Sequence, residues 1–296
     1  MGVALCSIFE NKKDGYKIDV YVLDGGIKED NKNKLKILED RYNFKINYIT
    51  IDTSFFKDLY ISEHITQATY YRIMIPELIP NIQKILYLDC DIIANNDIKE
   101  LYDINIDNYF FAAIEEKDEF TINRIKKLEL PINSKYFNAG VMLINIKKWK
   151  QSNSSKDIIN FIKKNKDKFE NCYFIAWDQD ALNAIMYDKW LNISFKYNYI
   201  ESFLRIYPLE IANIEDKILI IHYTNLKPWN YLCLHPLRNL YFYYLNKTPW
   251  FYNKYKDKNL KKMMIKFIEL IIIFIFKEKI IKNIKLIKRK LKIKFY

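Results

Sequence analysis

Glycine is scarce in this 296-residue chain, at 5 residues, and proline is little commoner at 7. That shortage excludes collagen-like repeats, Gly/Ser linkers and low-complexity segments. No Gly-rich phosphate loop, dinucleotide fingerprint or Ser-His-Asp pattern is present. The four cysteines (Cys6, Cys90, Cys172, Cys233) never fall in a Cys-x-x-Cys spacing. They offer neither a zinc cluster nor a disulfide framework and fit a reducing compartment. Long apolar runs are also missing. The longest, residues 265–276, is broken by Lys266 and Glu269 and falls short of the ~20 residues of a spanning helix. Met1-Gly2-Val3-Ala4-Leu5 has no basic start and no cleavage site, so no secretory signal opens the sequence. The expected location of the body is the cytoplasm.

What the chain does contain is apolar mass. Half of its residues are hydrophobic and 16% aromatic, enough for a sizeable core and too much for wholesale disorder. The net charge of +12 is local. Residues 254–296 hold 15 basic and 3 acidic side chains, and the rest of the chain holds 33 of each sign. The sequence therefore predicts a neutral globular body, residues 1–253, and a basic tail, residues 254–296. In the tail, Lys282, Lys285, Lys288, Arg289, Lys290, Lys292 and Lys294 alternate with isoleucine and leucine. That pattern predicts a helix lying on an anionic membrane surface. A solvated basic helix is the plain alternative. Nucleic acid is not an expected partner, because the body shows no basic stripe or RNA-binding motif.

Short apolar runs alternate with helical patterns through the body. Lys17–Leu23, Ile46–Ile51, Lys84–Leu88, Phe110–Ile114, Val141–Asn145 and Ile218–Ile221 read as strands. Lys28–Tyr42, Gln67–Ile75 (ending at Pro76), Asn160–Lys168 and Asp178–Tyr187 read as helices. The alternation predicts an α/β fold with a mostly parallel central sheet flanked by helices.

Chemistry concentrates at the ends of these runs. Leu86-Tyr87-Leu88-Asp89-Cys90-Asp91 delivers two carboxylates from a strand's C-terminal edge, where ligands of open α/β sheets bind. Two residues apart on extended chain, they point the same way and can share one hard divalent ion. A solvated strand end is the bland reading. His222 closes another apolar strand and is followed by Lys227-Pro228-Trp229, placing a candidate metal ligand next to a candidate phosphate-binding cation. A lone histidine is otherwise structural. Asp178-Gln179-Asp180 opens a helix, where an aspartate is first of all a cap, but the same groups could hold sugar hydroxyls.

Five blocks in order resemble the bacterial glycosyltransferase family 8, in particular its lipopolysaccharide galactosyl- and glucosyltransferases. They are Ala68–Arg72, Leu86–Asp91, Phe137–Asn145, Trp177–Asn183 and His222–Trp229, and the resemblance spans residues 2–229. It implies a GT-A (nucleotide-diphospho-sugar transferase) fold and a retaining transfer of galactose or glucose from UDP-galactose or UDP-glucose to a glycan. The expected acceptor is a lipid-linked oligosaccharide, the lipopolysaccharide core, met at the inner face of the membrane by a peripherally attached enzyme. By match to the family's motifs, Asp89, Asp91 and His222 would hold Mn²⁺, with Mg²⁺ as the other candidate. Lys227 would neutralise the leaving UDP, and Arg72 would contact the donor. Glu115, Asn138, Asp178, Gln179 and Asp180 would line the donor sugar and reacting carbon, with Gln179 and Asp178 nearest the chemistry.

The sequence departs from the family in two places. Relatives open with a strand ending in an Asp-x-Asn-Tyr-like segment that grips uridine, whereas Gly2–Asn11 here resembles the helix that follows it. The expectation is a late-placed start or a truncated paralogue. The latter would act, if at all, as a catalytically inactive, membrane-associated interaction protein. The turn between His222 and Lys227 is also one residue short and lacks glycine, with Asn225 as the residue that could adopt positive φ.

Overall fold

The computed structural model of the chain describes residues 1–252, apart from 57–58, 60–65, 80, 119, 172, 175, 207–216, 225–226, 232 and 234. The basic tail and Asn225 lie outside the described residues. The chain enters as helix α1 (Gly2–Asn11), whose residues Val3 to Ile8 are buried. Strand β1 (Val20–Asp24), helix α2 (Glu29–Tyr42) and strand β2 (Ile46–Thr50) follow as a right-sized βαβ unit, with β1 and β2 parallel. Glu29 and Asp30 sit in the first turn of α2, where the helix dipole favours them, and Asn43 ends the helix in the left-handed region at φ 51°.

A 3₁₀ segment, Gln67–Met74, runs into the short helix α3 (Ile75–Leu78). Pro76 was expected to end a helix; it starts one instead. At the first turn its missing N–H costs nothing. Strands β3 (Lys84–Leu88), β4 (Ile92–Ala94), β5 (Phe111–Ile114), β6 (Val141–Asn145), β7 (Trp190–Ile193) and β8 (Ile220–His222) complete the sheets. Between them lie α4 (Lys99–Tyr102), α5 (Thr121–Lys127), α6 (Ile146–Gln151), α7 (Ser154–Lys164), α8 (Lys166–Glu170), α9 (Asp178–Met186) and α10 (Glu201–Ile206), with α11 (Arg238–Asn246) after β8.

The main sheet has the order β3-β6-β5-β7, and β4 pairs with β8. Among the strands of the described residues, β1–β2 and β5–β7 are parallel, and β3–β6, β5–β6 and β4–β8 are antiparallel. The sheet is thus mixed where the sequence suggested mostly parallel. A buried apolar run such as Val141–Asn145 reads the same in either direction, so periodicity carries no orientation. The short strands β4 and β7 escaped the sequence reading for a similar reason: three or four residues show no period.

Burial is uneven across the sheet. Residues of β5 and the first four of β6 are buried, while every residue of β3 is only half-buried. Lys84–Leu88 is apolar enough to read as a buried strand, but β3 stands at the sheet's edge, and among the described residues no strand pairs with its other side. The core behind β5 and β6 is aromatic. Phe137 meets Phe111 and Trp190 edge-on at centroid distances of 4.8 and 5.3 Å, and Trp149 is fully buried beside them. Ile158 and Ile162 of α7 and Leu182 and Met186 of α9 close that core, each pair four residues apart on one helical face. Helix α1 is tied to β4 by polar contacts: the Ala94 N–H donates to Ser7 Oγ (2.9 Å), and Asn11 Nδ2 donates to the Ala94 carbonyl (3.0 Å).

Candidate active site

Two ladders converge on the Asp-x-Asp segment. The β3–β6 register continues one step, with the Asp89 N–H donating to the Gly140 carbonyl at 2.8 Å. The β4–β8 ladder places Ile92 opposite His222, and the Tyr223 N–H donates to the Asp91 carbonyl at 3.1 Å. Asp89 and Asp91 therefore belong to two different pairings, and His222 is brought to both. His222 Nε2 lies 3.3 Å from Asp91 Oδ1 and 3.8 Å from Asp89 Oδ2. One ligand atom from each of the three residues falls within 4.8 Å of the others. Two carboxylates and an imidazole at that spacing fit a divalent cation with oxygen and nitrogen ligands. Gly140 permits the approach: a Cβ there would stand 2.1 Å from His222 Cε1 and 2.9 Å from Asp89 Oδ2. Cys90, between the two carboxylates, is exposed.

Positive charge surrounds this corner. Arg72 Nε lies 2.8 Å from Asp178 Oδ2, and its Nη1 lies 3.3 Å from Asp89 and donates to the Ala139 carbonyl at 2.7 Å. Burial works against the guanidinium's charge, but the Asp178 and Asp89 carboxylates outweigh it and hold the proton more firmly than usual. Lys227 Nζ lies 2.5 Å from Asp91 and also donates to the Tyr223 carbonyl. Burial alone would raise the Asp91 carboxyl, yet His222 in its protonated form, together with Lys227, keeps it well below the ordinary carboxylate range. Tyr87 donates to Asp89 at 2.5 Å.

The adjoining wall is built from amides. Trp177 adopts φ 46°, a strained conformation for a bulky residue, and α9 starts immediately after it. Asp178 is thus the first helical residue, not the cap. Its carboxyl is pushed up to about 6 by burial, against the pull of Arg72. Gln179 is fixed at both ends: its Oε1 accepts from the Ala139 N–H (2.9 Å) and its Nε2 donates to Glu116 (3.1 Å). Asn138 donates to the same Glu116 oxygen at 3.2 Å. Glu115 lies further out, accepting from Asn192 Nδ2 at 3.2 Å.

A cleft of about 1200 Å³ joins the two walls. Of the residues that the sequence singled out, Arg72, Asp89, Asp91, Glu115, Asn138, Asp178, Gln179, His222 and Lys227 line it. Asp180 does not. Its carboxylate is buried, accepting from Tyr136 (2.7 Å) and the Ala176 N–H (2.8 Å), and it braces the start of α9. Two residues were missed, Glu116 and Asn198. Glu116 takes Arg124 (2.8 Å) and both amides, and Asn198 bridges Asn138 and His222. Only the doubled Glu115-Glu116 pair could have hinted at the first; nothing in the sequence around Asn198 marks it.

The comparisons with known proteins identify the family and the fold. The model of "Glycosyl transferase family 8" matches residues 1–233. General stress protein A of Bacillus subtilis is 34% identical over 261 residues, covering 84% of this chain and 90% of that protein. The lipopolysaccharide 1,3-galactosyltransferase of Salmonella typhimurium is 30% identical over 229 residues, 75% of this chain and 66% of that protein. Among solved structures, the galactosyltransferase LgtC in complex with donor and acceptor sugar analogues superposes with a TM-score of 0.67 at 23% identity. That match covers 84% of this chain and 92% of LgtC. The mixed sheet with flanking helices is accordingly a GT-A fold, and the chain belongs to glycosyltransferase family 8.

Proposed function

We propose that this glycosyltransferase moves galactose or glucose from a UDP-sugar to a glycan acceptor with retention at the anomeric carbon. The observation that carries the reading is that the Asp89–Asp91–His222 corner and the Gln179 and Asn138 amides line one cleft. Asp89, Asp91 and His222 would hold Mn²⁺, or Mg²⁺, which when bound neutralises a diphosphate as the sugar leaves it. Arg72 and Lys227 add fixed positive charge on the same side, where the anion develops. The sugar then sits toward Glu115, Asn138, Asp178 and Gln179. Gln179 is an amide held at both ends, a poor nucleophile, so the acceptor hydroxyl attacks from the face that the diphosphate leaves. The new C1–O bond forms as the C1–O(diphosphate) bond breaks, and the hydroxyl proton passes to the departing phosphate oxygen.

The acceptor in this reading is a lipid-linked oligosaccharide of lipopolysaccharide-core type, at the cytoplasmic face of the membrane. The basic residues of 254–296 support attachment there, to anionic lipid headgroups. Among the described residues no helix is long and apolar enough to cross a membrane. Salt-sensitive binding to phosphatidylglycerol vesicles, lost on removing residues 259–296, is expected; binding unchanged by that truncation overturns the attachment.

Calorimetric titration of UDP into the chain, with and without Mn²⁺, tests the donor site. Metal-dependent binding that disappears in Asp91→Asn is expected, together with slow hydrolysis of UDP-galactose or UDP-glucose. A folded protein that binds no UDP in the presence of Mn²⁺ overturns the reading.

A further inference from the structure

The polar contacts behind the cleft form one directional chain. Glu116 accepts only: its Oε1 takes Arg124 Nη1 (2.8 Å) and its Oε2 takes both Gln179 Nε2 (3.1 Å) and Asn138 Nδ2 (3.2 Å). With its NH₂ committed, Asn138 presents Oδ1 on the other side. That oxygen accepts the Gly140 N–H (3.0 Å) and Asn198 Nδ2 (2.9 Å). Asn198 is thereby turned so that its Oδ1 faces His222 Nδ1 at 3.0 Å. An amide oxygen can only accept, so Nδ1 carries the proton. Nε2 is left with its lone pair, aimed at Asp91 and Asp89. Asn138, Asn198 and His222 are all buried, so reversing the Glu116–Asn138 link would set oxygen against oxygen, while the lone pair that Nε2 turns to the two carboxylates is what a cation between them would satisfy.

We infer that Glu116 is a positioning residue: through Asn138 and Asn198 it fixes the Nδ1–H tautomer of His222, and through Gln179 Nε2 it fixes the face that this amide shows the cleft. One buried carboxylate thus sets both walls of the site. The inference builds on the proposed metal corner but concerns the resting protein, and its test needs neither donor nor turnover.

The test is the tautomer of His222, read from ¹⁵N–¹H correlations of the full chain labelled at its three histidines, at a pH where the ring is neutral. Wild type is expected to show Nδ1–H; an Nε2–H ring overturns the inference. In Glu116→Gln, Arg124 claims the single oxygen and the NH₂ turns toward the two amides. Donor then faces donor, while the Gly140 and Ala139 N–H groups still hold Asn138 Oδ1 and Gln179 Oε1, so the direction of the chain is contested and the Nε2–H ring becomes populated. Adding Arg124→Met frees the oxygen to face the amides again, and Nδ1–H returns. A role limited to pairing with Arg124 predicts no such rescue. Asn198→Ala, at the link beside the ring, serves if Glu116→Gln does not fold, and should abolish the preference. Mn²⁺ affinity, measured by electron paramagnetic resonance, should follow the tautomer and fall about 10- to 100-fold in Asn198→Ala. A folded Glu116→Gln or Asn198→Ala with an unchanged tautomer overturns the relay. A wild type that shows the relay but turns over no UDP-hexose overturns the proposed function alone.

Discussion

The two walls of the cleft are made from different chemistry. On one side, Asp89, Asp91, His222, Arg72 and Lys227 are charged or titratable and pair directly across short distances. On the other, Gln179, Asn138 and Asn198 are neutral amides, and each owes its orientation to a neighbour. Charges placed in a low-dielectric corner act wherever they stand, because the field is long-ranged. An amide acts only in the orientation it is held in. The metal side should therefore respond to removal of a single charge, and the amide side to loss of the partners behind it.

The largest effect should follow Asp91→Asn. It keeps the shape but removes a ligand and the partner of both His222 and Lys227. Transfer should fall roughly 10³-fold, on the order of 4 kcal/mol of transition-state stabilisation, in a variant assayed well below its own unfolding transition. Equal damage from Gln179→Ala, measured in the same assay, would break the comparison, since the amide wall would then carry as much as the charges.

Asp178 sits where the walls meet, and pH separates its two affiliations. Its carboxyl is pushed up to about 6 from an ordinary value of 3.8, chiefly by burial. The folded state therefore binds this proton more tightly than the unfolded chain does. The group's stabilising contribution is full below about pH 4 and is lost as pH rises through 6, by about 3 kcal/mol in total. Urea unfolding of metal-free wild type and Asp178→Asn across this window should show wild type losing that amount relative to the variant. Parallel curves would mean that Arg72 holds Asp178 ionised throughout, as a full member of the charged corner.

Gly140→Ala probes the contact between the walls. The added methyl would lie 2.1 Å from His222 Cε1, and relieving it must push the ring away from the carboxylates. A cost of about 1–3 kcal/mol is expected, seen as a roughly 10- to 100-fold loss of Mn²⁺ affinity. Unchanged affinity would show that β6 and β8 can part without moving His222.

The sequence revealed the two sides unequally. Asp89 and Asp91 were legible because they follow one apolar run, and His222 because it ends another; the extended chain expected between the two carboxylates is instead a turn, and the pairing of β4 with β8 brings Asp91 and His222 together. Most strands and the helices α2 and α9 were legible from their apolar patterns. Strand direction was not, and neither was the role of Glu116 or Asn198. Glu116 receives groups from residues 124, 138 and 179, and Asn198 joins 138 to 222. Such links exist only after the chain has folded. Asp180 shows the opposite failure: its place beside Gln179 suggested the cleft, but one residue further along α9 turns it by about 100°, into the contact with Tyr136.

The smallest effect should come from the residue nearest the metal ligands in sequence. Cys90 lies between Asp89 and Asp91 in the turn that joins β3 to β4, yet it is exposed and does not line the cleft. Cys90→Ser should change stability by less than about 0.5 kcal/mol and leave Mn²⁺ affinity and transfer within experimental error of wild type. The contrast with Asp91→Asn, one residue away, measures how sharply this turn sorts its side chains between cleft and solvent. A substantial loss of Mn²⁺ affinity in Cys90→Ser would mean that the segment turns on binding the ion, and that the charged corner, like the amide wall, is completed by a rearrangement of its backbone.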